Sequence, residues 1–216
     1  MRDKRVREMT LTAMFIAIIG IMSFVPWLGF ITIGGVAITL IHIPVLIGAI
    51  FGGKRVGIFS ATAFGVFSMI RAFMTPDAFN VFFQNPLVSI LPRFLFGVSI
   101  WYIYTYTFKL LKPAIVGDGD IEDDKVKKSV TELTALAVTF ALASLTHTVI
   151  TLTALYIFAF NSAIYLEWFG STDVLRFIWI IMLSNGLIEV GLAVLIGAPI
   201  AYRLKTFYRY EENSVT

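Results

Sequence analysis

Long apolar stretches, separated by short charged segments, run through the whole sequence. A helix needs about 20 residues to cross a hydrocarbon layer about 30 Å thick, and six stretches come close to or exceed that length. They lie at residues 11–30, 36–52, 55–74, 87–111, 130–160 and 174–202. The sequence therefore predicts an all-α integral membrane protein with six transmembrane helices, forming a single transmembrane domain over residues 1–216.

The composition supports lipid rather than water as the surrounding solvent. The chain is 58% hydrophobic and 14% charged, whereas a soluble domain carries about 25% charged residues. Basic residues precede the first stretch, but that stretch is too long for the apolar core of a signal peptide, so it is interpreted as a helix. The second stretch is short and contains Pro44, so we expect it to be kinked or tilted. The absence of cysteine excludes disulfides and thiolate chemistry.

The positions of the basic residues predict the orientation. If the N-terminus is cytoplasmic, fourteen of the seventeen Lys and Arg residues fall on the inner side, and only Arg71, Arg93 and Arg176 fall in outer segments. This asymmetry predicts that both termini are cytoplasmic. The charges lie between apolar runs rather than in a basic stripe, which argues against nucleic acid as a partner.

Two motifs resemble an enzyme site and a metal site, but each lacks residues that such a site requires. The segment from Gly48 to Arg55 fits the phosphate-binding loop until Arg55, which stands where that loop needs Ser or Thr. The acidic segment that begins at Asp118 lacks the Gly and Glu that complete a calcium loop. We therefore predict no enzymatic activity, no metal site and no cofactor.

Polar residues placed deep in the predicted helices are the candidates for function, because ionisable groups inside a membrane are costly. Counting about 1.5 Å per residue, His42 and Arg93 form an outer layer at a depth of about 9 Å. Asn185, His147 and Glu189 form a deeper layer at about 16–23 Å. These two layers suit a small amphiphilic molecule that enters from outside with its anionic end uppermost.

Each candidate also has a structural interpretation. For His147 and Glu189 the alternative is mutual neutralisation, and for Asn185 it is a hydrogen bond that joins two helices. For His42 the alternative is donation to a carbonyl freed by Pro44. For Arg93 the sequence offers no internal partner except Asp77 in an outer segment.

The segment from Thr75 to Pro86 mixes aromatic and amide side chains, including Asn80 and Gln84. It is typical either of a lid over a binding pocket or of rings anchored at the membrane interface. Small residues form two further patterns, each of which would let another helix approach closely. They are Ala13, Ala17 and Gly20 in the first helix, and Gly57, Ala61, Gly65 and Ser68 in the third.

Taken in order, these motifs resemble the substrate-binding S components of energy-coupling factor (ECF) vitamin transporters, most of all the pantothenate-type branch. The motifs are a basic N-terminus, Ala13-x-x-x-Ala17, Ile41-His42-Ile43-Pro44, a polar-aromatic outer segment, Leu91-Pro92-Arg93-Phe94 with Gly97, and Asn185. One departure is Gly52-Gly53-Lys54, where the family pattern leads us to expect Gly-Pro-Lys.

The resemblance implies a subunit that binds a water-soluble vitamin, with pantothenate as the first candidate. It implies a multi-pass protein of a prokaryotic cell membrane, partnered by a transmembrane scaffold subunit and two cytoplasmic ATPases. The face carrying Ala13 and Ala17 would contact the scaffold. Three alternatives remain: an S component for folate, riboflavin or a pyrimidine, a structural membrane protein of cell-wall elongation, and a stand-alone secondary transporter. The last has little support because the sequence shows no internal repeat.

Overall fold

The computed structural model describes residues 2–25, 27–33, 36–76, 80–116, 125–159 and 179–214. Its main helices are α1 (Arg2–Phe24), α2 (His42–Gly52), α3 (Lys54–Met74), α4 (Pro86–Val116) and α5 (Lys125–Ala159). Residues 179–214 form a further, C-terminal helix with two π-helical turns, Met182–Gly186 and Ala193–Gly197. Between the π-turns lies α6 (Leu187–Leu192), and the helix ends with α7 (Ala198–Ser214).

Five segments in the described part of the chain are long and apolar enough to cross a membrane. They are Lys4–Phe24, Lys54–Met74, Pro86–Leu111, Ser129–Phe158 and Trp179–Phe207. The helix His42–Gly52 is apolar but has only 11 residues, which corresponds to about 16 Å. This length is about half of a hydrocarbon core. The chain is therefore a largely α-helical, multi-pass membrane protein.

A β-hairpin replaces part of the predicted helices. Strand β1 (Phe30–Ile33) pairs antiparallel with strand β2 (Val36–Thr39), and Ile33 lies opposite Val36. The prediction that one helix reaches residue 30 and another begins at residue 36 was therefore wrong. Two glycines separate the strands in the sequence, and a Gly-Gly pair between β-branched residues is a hairpin signal. Hydrophobicity alone did not distinguish it from helix.

The position of α2 also changes the interpretation of Pro44. Because the helix begins at His42, Pro44 lies in its first turn, where a missing backbone N–H removes no helical hydrogen bond. The kink expected at Pro44 therefore has no physical cause. At the other end of α2, Gly53 has φ 85°, which a proline ring cannot adopt. Glycine thus stands where the family pattern predicted proline.

Small residues bring α3 and α4 into close contact. A Cβ atom on Gly65 would lie 2.8 Å from the Cα atom of Ile90 and 2.9 Å from the carbonyl oxygen of Ser89. The Ser89 hydroxyl donates a hydrogen bond to the Gly65 carbonyl at 2.9 Å. The small-residue pattern of the third helix therefore packs internally, and it places Arg93, one turn after Ser89, beside α3.

The apolar core lies along the inner faces of α2, α3, α4 and α5. Leu46, Phe64, Phe96 and Phe140 are fully buried there. The outward faces of the helices carry many exposed apolar side chains, such as Leu195 at 75%. Such a surface requires lipid around it.

Candidate functional site

One cavity lies where the hairpin meets α3, α4, α5 and the C-terminal helix, beside a short 3₁₀ helix (Asn80–Gln84). Its volume is about 70 Å³, which is room for several water molecules or for one end of a larger molecule. The described residues that line it are Phe30, Thr39, Ser68, Arg71, Asn80, Phe83, Arg93, His147, Thr148, Thr151, Leu152, Ile181, Asn185 and Glu189.

Unpartnered polar atoms concentrate around this cavity. In the described part of the chain, eight buried side-chain nitrogen or oxygen atoms have no hydrogen-bond partner, and six of them belong to residues that line it. These six are Ser68 Oγ, Arg93 Nε, His147 Nδ1, His147 Nε2, Thr151 Oγ1 and Asn185 Nδ2. A buried polar group without a partner costs about 1–3 kcal/mol, so native proteins keep few of them. Their convergence on one cavity indicates a place where another molecule supplies the missing partners.

Arg93 is buried, with 3% of its surface exposed, and part of its guanidinium serves the backbone. Within a helix each N–H bonds to the carbonyl four residues earlier, and proline has no N–H to donate. Pro92 therefore leaves the carbonyl of Val88 without its usual partner. Arg93 Nη1 donates to that carbonyl at 2.9 Å. This contact fixes the direction of the side chain while Nε remains unpartnered.

Aromatic rings hold the guanidinium from the sides. The guanidinium carbon of Arg93 lies 5.3 Å from the ring centre of Phe64 and 4.9 Å from that of Phe83, distances typical of cation–π contact. Among the described residues no carboxylate lies within ion-pair distance of Arg93. Asp77, the internal partner that the sequence suggested, lies outside the described residues. Glu189 lines the same cavity beyond ion-pair distance, so the guanidinium can still contact an anion directly.

Glu189 joins the hairpin to the C-terminal helix. Its Oε1 accepts a hydrogen bond from the backbone N–H of Thr39 at 2.7 Å, and its Oε2 accepts one from the Thr148 hydroxyl at 3.2 Å. Both oxygens retain further acceptor capacity. Glu189 does not pair with His147, because both ring nitrogens of His147 lack a hydrogen-bond partner.

His42 lies behind the cavity rather than in its lining. Its ring stacks on that of His147 with the centres 5.6 Å apart, and its Nε2 lies 3.3 Å from the Ser144 hydroxyl. His147 also packs against Phe64 and Phe96. His42 therefore does not line the cavity together with Arg93, although the sequence suggested it as a binding residue. The hairpin occupies the residues assigned to the start of a helix, so α2 begins only at His42.

Asn185 lies in the first π-turn, and its Nδ2 is buried without a partner. Its Oδ1 accepts a hydrogen bond from the neighbouring Ser184 hydroxyl at 3.4 Å. Among the described residues, the side-chain amide makes no hydrogen bond to another helix, which was its alternative role. A π-turn shifts the helix surface locally and is frequent at functional sites.

The 3₁₀ helix contributes differently from what the sequence suggested. Asn80 lines the cavity, and its amide donates to the carbonyl of Thr75 at 3.2 Å. Gln84 is absent from the lining, because its amide donates to the Ala72 carbonyl at 3.1 Å and fastens the 3₁₀ helix to α3. Phe83 takes its place in the lining.

Several lining residues were not predicted. Arg71 places its guanidinium carbon 4.0 Å from the ring centre of Phe30 on the hairpin. Arg71 and Asn80 are half-buried, whereas Arg93 and Glu189 are buried. The cavity therefore has a more exposed end and an enclosed end. The sequence did place Arg71 on the outer side, as it did Arg93 and Arg176. Thr39, Thr148 and Thr151 gave no comparable signal, because threonine is common in membrane helices and strands.

The chemistry of the lining is that of a polar anion site. Two guanidinium groups donate, two amides, the hydroxyls and an imidazole donate or accept, and one carboxylate accepts. Phe30, Phe83 and Leu152 provide apolar surface between them. The arrangement can bind a small molecule that carries an anionic group at one end and hydroxyl or amide groups along its length.

Two comparisons with known proteins bear on the identity of the chain. A family model described as "ECF transporter, substrate-specific component" matches residues 7–201. A curated relative, Pantothenate transporter PanT of Leuconostoc mesenteroides subsp. mesenteroides, is 34% identical over 105 residues, covering 46% of this chain and 52% of that protein. The match thus spans about half the length of that relative. Because the family model covers nearly the whole chain, the chain belongs to the family of substrate-specific components of ECF transporters.

Proposed function

We propose that this chain is the high-affinity, membrane-embedded substrate-binding subunit of an ECF-type importer, and that its substrate is pantothenate. The observation that carries this proposal is the set of six unpartnered buried polar atoms around the cavity, with the Arg93 charge among them. Pantothenate has a carboxylate, an amide and two hydroxyls, so it offers partners of each required kind. The similarity to a pantothenate transporter supports this vitamin over folate, riboflavin or a pyrimidine.

In the proposed complex the carboxylate of pantothenate binds Arg93. A planar guanidinium matches a carboxylate through parallel hydrogen bonds. The amide and hydroxyls would then bind Asn185, His147 and Glu189, and Asn80 would contact the more exposed part of the ligand. His42 and Gln84 would support this site from behind it.

The proposal includes six membrane crossings with both termini in the cytoplasm of a prokaryotic cell. The short helix α2 and the hairpin together would make the second crossing. Irregular or extended backbone is tolerated at membrane depth where it is buried in protein or lines a cavity, and β2 meets this condition at Thr39. The distribution of Lys and Arg supports the orientation.

The energy for transport would come from partner subunits, a transmembrane scaffold and two cytoplasmic ATPases. Ala13 and Ala17 are exposed on α1, as a face that receives a partner helix requires. Gly20, the third residue of this pattern, is partly covered by Phe67, whose ring lies 3.4 Å from where a Cβ would stand. The partner surface is therefore proposed to centre on Ala13 and Ala17.

The test is calorimetric titration of the purified chain with four ligands: pantothenate, its alcohol analogue, riboflavin and folate. We expect pantothenate to bind most tightly, and the uncharged alcohol to bind about a hundredfold more weakly because it leaves the buried guanidinium unpaired. Equal affinity for acid and alcohol, or tighter binding of riboflavin or folate, would contradict the assignment.

A further inference from the structure

A second concave surface lies far along α1 from the cavity, at the end where the chain begins. It is formed by the first turns of α1, the turn between α2 and α3, and Trp101 of α4, and its volume is about 880 Å³. We call it the basic groove. Gly53 makes the turn possible, because its φ of 85° lies in the region that favours glycine.

The basic groove concentrates positive charge. Five basic side chains line it, and Glu8 is the single acidic residue among the described lining residues. Glu8 forms an ion pair with Arg55, with nitrogen and oxygen 3.6 Å apart. The basic residues are Lys4, Arg5, Arg7, Lys54 and Arg55. Like charges so close together repel, so an anion that lies between them is stabilised.

Apolar surface continues directly from this charge. Leu11, Ile50 and Phe51 line the groove together with the basic residues. From Leu11 onward, exposed apolar side chains follow on α1 at helical spacing: Met14 at 45%, Ile18 at 37% and Ile21 at 58% exposure. Positions separated by three and four residues lie on one face of a helix. The groove thus passes into an apolar stripe along a membrane-spanning helix.

We infer that the basic groove binds an anionic phospholipid, with the headgroup phosphate between α1 and the α2–α3 turn and the acyl chains along the apolar stripe. The groove lies at the end of helices long enough to cross the bilayer, which is where headgroups lie. Basic pockets between transmembrane helices recognise anionic headgroups in this way. Tryptophan is enriched at the level of the headgroups, and the half-buried Trp101 lines the groove.

This lipid site adjoins the proposed scaffold-binding face. Ala13 lines a neighbouring groove on α1 together with Met9, Thr12, Ile16 and Phe59, and the two grooves share Arg5, Glu8 and Arg55. Ala13 does not line the basic groove, so a lipid there would flank the scaffold-binding face without covering Ala13.

The test uses native mass spectrometry of the detergent-purified chain with phosphatidylglycerol or phosphatidylcholine added. The groove variant Lys4→Gln/Lys54→Gln is compared with Lys109→Gln/Arg203→Gln, whose exposed residues do not line the groove. Each variant removes two positive charges. We expect phosphatidylglycerol to bind the wild type and the control alike, and the groove variant about thirtyfold more weakly.

A control measurement tests whether the groove variant is folded: the affinity for pantothenate should be the same for all three proteins. The lipid measurements then decide the occupant. Equal losses in both variants would mean unspecific charge attraction and would overturn the site. Equal binding of phosphatidylcholine, or displacement of phosphatidylglycerol by inorganic phosphate at millimolar concentration, would overturn the assignment to an anionic lipid.

Discussion

At the scale of single residues, Arg93 shows how one side chain can serve both the backbone and a ligand. Pro92 frees the carbonyl of Val88, and Arg93 Nη1 donates to it. The same guanidinium keeps a buried, unpartnered Nε beside the cavity. A loss of ligand binding on mutation would therefore be ambiguous unless the two roles are separated.

The adjacent proline provides that separation. Arg93→Ala should weaken pantothenate binding by about a hundredfold or more, because a charged hydrogen-bonded contact is lost. It should also lower the free energy of unfolding by about 1–3 kcal/mol, because the Val88 carbonyl is left unpartnered. Adding Pro92→Ala returns an N–H to that carbonyl, so the double variant should regain stability but not affinity. Calorimetry gives the affinity and thermal unfolding the stability.

Arg93→Lys is the matched control for charge. It should recover only part of the affinity, since an ammonium group cannot form two parallel hydrogen bonds to a carboxylate. The double variant Pro92→Ala/Arg93→Ala decides between the two roles. If its affinity for pantothenate equals that of the wild type, the guanidinium acts only through the backbone and the proposed carboxylate contact is wrong.

At the scale of elements, the hairpin and the close α3–α4 pair define the cavity. The hairpin contributes Phe30 and Thr39, and Glu189 fastens it to the C-terminal helix through the Thr39 N–H. On the opposite side Gly65 lets α4 approach α3, so that Arg93 reaches the cavity. A Cβ on Gly65 would also lie 3.3 Å from the Cβ of Arg93.

Gly65→Ala should therefore disturb both packing and the site. The new methyl would meet backbone atoms of Ile90 and Ser89, which move only if the helices separate. We expect unfolding free energy to fall by about 1–3 kcal/mol and pantothenate affinity to fall with it. Gly191→Ala is the control, because a Cβ there has no neighbour within 4 Å, and it should be neutral or slightly stabilising. Equal effects of the two substitutions in thermal unfolding would contradict the packing argument.

At the scale of the whole molecule, the candidate binding cavity and the candidate partner surfaces on α1 are formed by different residues. Membership of this family implies that the chain associates with other ECF components in the membrane. In the proposed importer, substrate binding and energy supply belong to different subunits. Substitutions on the two parts of the molecule should then have separable effects.

Ala13→Trp and Ala17→Trp should leave pantothenate binding by the isolated chain unchanged, because both residues are exposed and far from the cavity lining. Uptake by cells that express all subunits should fall at least tenfold, since a bulky side chain prevents close helix approach. Leu195→Trp, at an exposed site on the C-terminal helix, should reduce uptake little. If the α1 variants lose binding together with uptake, that face packs internally. Concentrative uptake by the lone chain would contradict the importer model itself.

The sequence alone determined the membrane class, the approximate course of the helices outside the hairpin, and the polar residues that merit attention. These properties follow from length, apolarity and charge, which are local, and the bilayer imposes the same requirement on every segment. Arg93, His147, Asn185 and Glu189 stood out for this reason, and all four line one cavity. The small residues of α1 and α3 were visible in the same way, although their partners were not.

Tertiary structure alone decided which polar residues meet. The choice between helix and hairpin at residues 30–39 depended on cross-strand pairing and on Glu189, which is 150 positions away from Thr39. Because the hairpin forms, α2 begins only at His42, and the His42 ring lies behind that of His147. Thr39, at the end of β2, lines the cavity. Arg71 lines the site next to the hairpin, where its guanidinium contacts the ring of Phe30. Contacts between distant segments depend on packing distances of a few ångströms, and no local pattern in the sequence encodes them.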